Sequence, residues 1–138
     1  MERFEIVDHT ADIGIRAYGN SLGEAFANAA YGMFSLITDL DTVGETVCHT
    51  IEIEASDEQE LLVSWLNELL YLLDTEGILF GSFQISTISN GMLQAKACGE
   101  KVKPSRHTIK TSIKAATYHM LSIERSDNGI SVQVILDV

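Results

Sequence analysis

The chain has 138 residues and a mass of 15.2 kDa, which corresponds to one domain with a modest hydrophobic core. Its 20 acidic and 9 basic residues give a net charge of −11. This balance argues against a protein that coats nucleic acid or an anionic membrane by itself, because such binding needs clustered Lys and Arg. No apolar run reaches the roughly 18 residues of a membrane helix, and no signal peptide is recognisable.

The first half of the chain predicts one strand and one helix. Residues 12–18 alternate between apolar and polar side chains, which is typical of a strand. The sequence Ser21-Leu22-Gly23-Glu24 fits a capping box, and apolar residues at helical spacing follow it. We therefore predict a helix from Ser21 to Leu36, with the acidic residues 38–45 as a connector.

Residues 47–98 repeat this pattern and extend it. A strand is predicted over 47–55, followed by a second capping box at 56–59 and a Leu-rich helix that ends at Gly77. The segments 79–89 and 92–98 flank an Asn-Gly pair, which is a strong signal for a hairpin. Residues 47–98 are therefore predicted to have the order strand, helix, strand, strand.

The flanks supply the same order once they are joined. After the first strand and helix come an alternating run over 111–125 and a final strand over 130–137. We predict an α+β fold in which one strand-helix-strand-strand module (47–98) is inserted into another (1–46 and 99–138), with helices packed on mostly antiparallel sheets. The segment 99–108 crosses back between the modules.

The charge is unevenly distributed. Residues 1–69 hold 14 acids and 2 bases, whereas residues 70–138 hold 6 acids and 7 bases. Six of these bases fall between Lys96 and Lys114, either as a solvated loop or as a docking patch for an acidic partner or a nucleotide. Cys48 and Cys98 form no CxxC pair, and we interpret them as small core side chains of a cytoplasmic protein.

Two segments carry residues suited to cation binding. The first is Asp8-His9-Thr10-Ala11-Asp12, which either surrounds a cation or forms a capped turn. The second is the chain end, where Asp137 stands beside the Val138 main-chain carboxylate. If the last strand lies beside the first, Asp12 and Asp137 converge; otherwise Asp137 is a polar strand end.

Other catalytic signatures are absent from the sequence. It contains no HxxxH or HExxH pair and no phosphate-binding GxxxxGK[ST] loop. Lys114, among apolar residues, either faces solvent or presents a cation to an acidic site or a phosphate. A competing functional class is an enzyme, a metal-dependent phosphohydrolase that uses Asp8, Asp12 and Asp137. The sequence shows few metal ligands for such an enzyme and no evident general base.

Several motifs in order resemble the archease family over nearly the whole chain. They are Asp8-His9-Thr10-Ala11-Asp12-Ile13-Gly14, Trp65-Leu66-Asn67-Glu68-Leu69-Leu70, the Gly99-Glu100 pair with His107, Ile113-Lys114-Ala115-Ala116-Thr117-Tyr118-His119, and Val134-Ile135-Leu136-Asp137-Val138.

This resemblance implies a specific role. Archeases are small cytoplasmic accessory proteins, without a reaction of their own, that assist RtcB-type tRNA-splicing RNA ligases. They promote guanylylation of the ligase and its multiple turnover. The implied metal ligands are Asp12, Asp137 and Val138, with calcium the expected ion and magnesium or manganese the alternatives. Asp8, His9 and Lys114 are expected to support that site or to contact the ligase.

Two points qualify the resemblance. The family pattern often has an Asp between the Gly-Glu pair and the His, whereas this sequence has Lys103 near that place. A third function class, a chaperone or RNA-binding adaptor, competes with the ligase activator. The net charge of −11 argues against direct, stable RNA binding.

Overall fold

The computed structural model describes residues 2–8 and 12–138, and of Asp8 it describes the backbone alone. The described part of the chain contains seven strands, two α-helices and a short 3-10 helix (Leu40–Thr42). The strands are β1 (Phe4–Asp8), β2 (Ile13–Gly19), β3 (Val47–Glu54), β4 (Ile78–Ser89), β5 (Met92–Lys101), β6 (Ala115–Ser126) and β7 (Gly129–Asp137). The helices are α1 (Leu22–Ile37) and α2 (Glu58–Glu76).

The strands form two antiparallel sheets, which confirms the predicted α+β class. One sheet has four strands in the order β1-β2-β7-β6, and the other has three in the order β3-β5-β4. In both sheets the first strand of a strand-helix-strand-strand run pairs with its third strand, and the second strand takes an outer place. The division into an outer and an inserted domain stays a prediction.

The prediction missed strand β1. It placed the first strand at 12–18, whereas β1 (Phe4–Asp8) precedes it and pairs with β2. Five residues at a sheet edge, with Ile6 44% exposed, do not produce the clean alternation of a half-buried strand. Its Phe4 ring nevertheless packs against Tyr31 of α1.

The helix ends follow the predicted chemistry, with one correction. The Ser21 hydroxyl accepts a hydrogen bond from the Glu24 N–H at 3.1 Å, as the first capping box requires. At α2 the cap is Asp57, not Ser56, because the Asp57 carboxylate accepts from the Glu60 N–H at 2.8 Å. Glu60 then reaches back to the Ser56 N–H and hydroxyl.

Glycine and asparagine occupy the left-handed positions at the end of α2 and in the β4-β5 turn. Gly77 ends α2 at φ 67°, as predicted. Asn90 and Gly91 have φ of 52° and 76°, which is the two-residue turn that the Asn-Gly pair predicts between β4 and β5. The run over 111–125 is a strand only from Ala115 onward.

Both helices bury their apolar faces in one shared core. α1 lies against β2 and β4, and α2 lies against β6, so each helix contacts the sheet of the other module. Trp65 of α2 is fully buried, and its indole N–H donates to the Phe26 carbonyl of α1 at 3.0 Å. No helix in the described part of the chain is long and apolar enough to cross a membrane.

The interpretation of Cys48 and Cys98 as small core side chains is corrected by the structure, because the two form a disulfide and Cys48 is exposed. Cys48 on β3 and Cys98 on β5 stand directly opposite each other, with 4.1 Å between their Cα atoms, and form a disulfide. They are 50 residues apart in sequence. Spacing alone did not reveal this pair, because their proximity depends on the β3-β5 register.

Candidate functional site

The end of the four-stranded sheet gathers the acidic residues predicted from the sequence. β1 pairs with β2 up to Asp8 and Ile13, and β2 pairs with β7 through Ile13 and Leu136. One further step along this antiparallel register brings Asp12 level with Asp137. The last strand, β7, therefore lies beside β2, which is the first strand that the sequence predicted. This is the condition under which Asp12 and Asp137 converge.

Lys114 reaches the same end of the sheet from the neighbouring strand. Ala115 is paired with Asp137, and the backbone N–H of Lys114 donates to the Asp137 carbonyl at 2.7 Å. Its side chain is exposed and lies just before β6 rather than within the strand. The structure therefore places the Lys114 backbone beside Asp137.

The donor chemistry of this group suits a hard divalent cation. Asp12 is half-buried, and Asp137 and Val138 are exposed, so all three can offer oxygen atoms to solvent or to an ion. Across residues 2–8 and 12–138, no three His, Cys, Asp or Glu side chains lie close enough to hold an ion. His9 and the Asp8 side chain fall outside the described atoms.

A second polar group, inside the protein, was not singled out from residue chemistry. Glu100 and His107 are only 2% and 4% exposed. The Glu100 carboxylate accepts from the Gly44 N–H at 3.0 Å and from Arg106 at 3.3 Å, and it lies 2.8 Å from His107 Nε2. We call these four residues the Glu100 cluster.

The hydrogen bonds of His107 fix its tautomer. The Lys103 N–H donates to Nδ1 at 2.9 Å, so this nitrogen carries no proton. The proton is then on Nε2, which donates toward Glu100 and also lies 3.1 Å from the Thr42 carbonyl. His107 therefore donates to Glu100 through Nε2.

The same contacts keep Glu100 ionised. The hydrogen bond from Gly44 is the main cause that lowers the pKa of Glu100 below its ordinary value of 4.5. Burial acts in the opposite direction, and His107 and the Arg106 charge add to the lowering. A buried carboxylate with this many donors is a structural anchor.

This anchor holds the segment 102–114, which crosses from β5 to β6. Two further bonds tie the segment to the end of α1: the Thr38 hydroxyl donates to the Thr108 carbonyl at 2.8 Å, and the Lys110 N–H donates to the Ile37 carbonyl at 2.7 Å. Lys103 bonds to His107 through its backbone N–H. The family pattern often has an Asp near this place, but a different side chain leaves this backbone contact intact.

Residue chemistry alone could not identify the Glu100 cluster, because its members are far apart in the sequence and its hydrogen bonds depend on burial. Gly44 is 56 residues from Glu100. The signal that could have found it is the Gly99-Glu100 pair with His107 seven residues on, which belongs to the motifs quoted above. Gly99 and Glu100 lie in β5 rather than in a loop, because that strand extends to Lys101.

Comparison with known proteins agrees with these motifs over the full chain. Residues 4–138 match the Archease protein family (MTH1598/TM1083). The protein archease of Sulfolobus acidocaldarius is 43% identical over 139 residues and covers 100% of both chains. The protein archease of Thermococcus kodakarensis is 43% identical over 132 residues, covering 94% of this chain and 93% of its own.

Solved structures show the same fold. The solution structure of protein 1598 from Methanobacterium thermoautotrophicum superimposes with a TM-score of 0.87 at 40% identity and covers 100% of both chains. An archease from Thermotoga maritima, described as a possible chaperone, has a TM-score of 0.67 at 21% identity, covering 96% of this chain and 94% of its own. At 40% to 43% identity over nearly the full length, the chain belongs to the archease family.

Proposed function

We propose that this protein is a non-catalytic accessory protein that activates an RtcB-type tRNA-splicing RNA ligase in the cytoplasm. It promotes guanylylation of the ligase and allows repeated turnover. Membership of the archease family supports the accessory role. The observation that carries the mechanism is the alignment of Asp12 with Asp137 at the end of adjacent strands, with Lys114 beside them.

In this proposal the acidic end of the sheet holds a divalent cation. Asp12, Asp137 and the Val138 carboxylate are its ligands, and water completes the coordination. Oxygen donors of this kind suit Ca²⁺, and Mg²⁺ or Mn²⁺ could take its place at the same ligands. The ion offsets the repulsion between carboxylates and supplies positive charge where phosphoryl chemistry needs it.

The residues around the cation have separate tasks. Asp12 is half-buried, whereas Asp137 and Val138 are exposed, so Asp12 is proposed to form the inner side of the site. The Lys114 backbone bond holds the end of β7 in place, and its exposed ammonium group is free to meet a phosphate or an acidic partner. Asp8 and His9 are proposed to support the site or to touch the ligase.

The test is multiple-turnover RNA ligation by the cognate RtcB-type ligase with GTP and Mn²⁺. We expect wild-type protein to restore turnover and Asp12→Asn and Asp137→Asn to lose most of the stimulation. Asp127→Asn is the matched control, because Asp127 is an exposed aspartate in the turn at the opposite end of the same sheet. Ca²⁺ titration by calorimetry on the same variants should show the same ranking.

Each outcome has a distinct meaning. Stimulation by all variants would keep the ligase as the partner and remove the metal site from the mechanism. Absence of stimulation by wild type, with a ligase shown to become guanylylated, would contradict the activator role. Metal-dependent phosphate release that Asp12→Asn abolishes would instead support the phosphohydrolase alternative.

A further inference from the structure

A groove of about 620 Å³ runs along the side of the protein. Residues from β3, α2 and β6 line it, and we call it the β3-α2 groove. β3 is an edge strand of the three-stranded sheet, and β6 is an edge strand of the four-stranded sheet. The groove is therefore bounded by two sheet edges that have no neighbouring strand in the described part of the chain.

Three glutamates give the groove its charge. Glu52 and Glu54 are exposed on β3, and Glu68 is half-buried on α2. None of the three forms an ion pair with any residue in the described ranges, whereas Glu58, at the start of the same helix, is bonded to Arg125 at 2.6 Å. The groove thus carries negative charge that the described residues do not neutralise.

Two tyrosines give the groove its apolar surface. Tyr71 on α2 and Tyr118 on β6 are 59% and 56% exposed, although large hydrophobic side chains on this protein are mostly buried. A tyrosine ring attracts a Lys or Arg cation over its face. Exposed rings beside unpaired carboxylates are typical of a surface that receives basic side chains.

The backbone beside Tyr118 also departs from regular strand pairing. The β6-β7 register shifts between Thr117 and Ser122, and Met120 in this bulge has φ of 52° and is 55% exposed. Asn67 of α2 donates to and accepts from the backbone of Ala116, at 3.2 and 2.8 Å. These bonds close the edge of β6 at Ala116 and fix the wall that carries Tyr118.

We propose that the β3-α2 groove docks a Lys- or Arg-bearing segment of a partner protein. The basic side chains would pair with Glu52, Glu54 and Glu68, and their stems would lie against the two tyrosines. A nucleic acid is disfavoured because its phosphates would be repelled by the glutamates. A second copy of this chain is disfavoured because each copy carries a net charge of −11.

This docking surface deepens the proposed accessory role, because it would hold the partner while the acidic end of the sheet acts on it. The two surfaces make different demands. Loss of the groove weakens the complex and leaves the chemistry of the bound state unchanged. Loss of the acidic end leaves the complex and removes the stimulation. Their failures are therefore distinguishable.

The direct test uses full-length protein and a short peptide of alternating lysine and threonine, followed by amide chemical shifts. We expect shifts on β3, α2 and around Tyr118. The combined variant Glu52→Gln, Glu54→Gln and Glu68→Gln should weaken binding about tenfold, because it removes three modest, exposed ion pairs together. Tyr71→Ala should weaken it by a smaller factor.

The matched control removes equal charge elsewhere on the surface. The combined variant Glu2→Gln, Glu45→Gln and Asp127→Asn changes three exposed carboxylates and should bind like wild type. A peptide with glutamine in place of lysine should not bind. Equal weakening by both triple variants would mean that only net charge matters, and it would overturn the proposal. So would shifts that map to another face.

Ligation with the RtcB-type ligase separates the two proposals. The groove variant should raise the protein concentration needed for half-maximal stimulation and keep the same maximum, whereas Asp12→Asn should lower the maximum. Peptide binding at the groove with no stimulation by wild type would contradict the activator role alone. Concentration-dependent self-association that the groove variant abolishes would identify a second copy as the occupant and overturn the hetero-partner.

Discussion

Glu100 and Asp137 occupy equivalent places in the two sheets, yet one carboxylate is buried and the other is exposed. In each sheet the final strand pairs with the first strand of its run. The register joins Gly99 to the first residue of β3 and Leu136 to the first residue of β2. Glu100 and Asp137 are therefore each the next residue beyond the last such pair.

The chain around these two positions accounts for the difference. The segment 102–114 folds over Glu100 and supplies His107 and Arg106, and the connector before β3 supplies the Gly44 N–H. Within residues 2–8 and 12–138, the Asp137 carboxylate makes no side-chain hydrogen bond or ion pair. A buried carboxylate held by several donors stabilises the fold, whereas an exposed one without such donors remains open to solvent.

The two runs also differ in how their strands are joined. The three-stranded sheet has the Cys48–Cys98 disulfide beside the buried Glu100, so its end is closed covalently and by hydrogen bonds. The four-stranded sheet has the added strand β1 and ends in Asp12, Asp137 and Val138. The same topology therefore closes one end with bonds and leaves the carboxylates of the other end exposed to solvent.

The largest expected effect tests whether the two runs fold as one unit. Trp65→Ala should lower the free energy of unfolding by about 3–5 kcal/mol, because it leaves a cavity and removes the donor to Phe26 on α1. Denaturant unfolding followed by circular dichroism measures this loss. Tyr71→Ala, on the exposed face of the same helix, should change stability by no more than about 0.5 kcal/mol.

The shared core also predicts a single cooperative transition for the Trp65→Ala variant. If one sheet and its helix melted while the other stayed folded, the two runs would be independent domains. The comparison between their ends would then be a comparison between two separate proteins rather than two parts of one.

A smaller effect is expected from the disulfide. Combined Cys48→Ser and Cys98→Ser should lower the free energy of unfolding by about 2–4 kcal/mol, because the bond closes a loop of 50 residues. Reductant should lower the stability of wild type and leave that of the double variant unchanged. Free thiols in the unreduced, denatured protein would show that the bond is not formed and that hydrogen bonds alone close this end.

The smallest effect at neutral pH is expected from Glu100→Gln, because the amide oxygen can still accept from Gly44. The stabilities of wild type and the variant should differ at acidic pH. The folded-state pKa of Glu100 is lowered, so its stabilising contribution is complete above the ordinary value of 4.5 and is lost as the pH falls through the folded value. The wild-type stability should therefore decline in this window more steeply than that of the variant.

Asp137→Asn provides the matched comparison for the acid profile. Because its carboxylate is exposed and lacks the donors that surround Glu100, the variant should keep the wild-type acid profile. Unfolding curves over a series of pH values measure both variants. A Glu100→Gln profile with the wild-type slope would show that the buried carboxylate is not the group that titrates.

Local sequence signals predicted most of the elements. The Ser21 cap, the Gly77 helix end and the Asn-Gly turn depend on hydrogen bonds and backbone angles within a few residues, so the sequence reveals them directly. Strand β1 was not predicted from the sequence, because a short edge strand pairs with only one neighbouring strand. The α2 cap moved by one residue because adjacent Ser56 and Asp57 are both good caps.

The sequence by itself determined the helix and strand types and the order strand, helix, strand, strand. It also indicated that Asp12 and Asp137 converge if their two strands are adjacent. Only the tertiary structure decided the β3-β5 register that pairs the cysteines, the burial that makes Glu100 an anchor, and the groove between two sheet edges. Local propensities act over a few residues, whereas register and burial depend on contacts between distant parts of the chain. A carboxylate has the same sequence signature whether it is buried or exposed, so its role is decided by what folds over it.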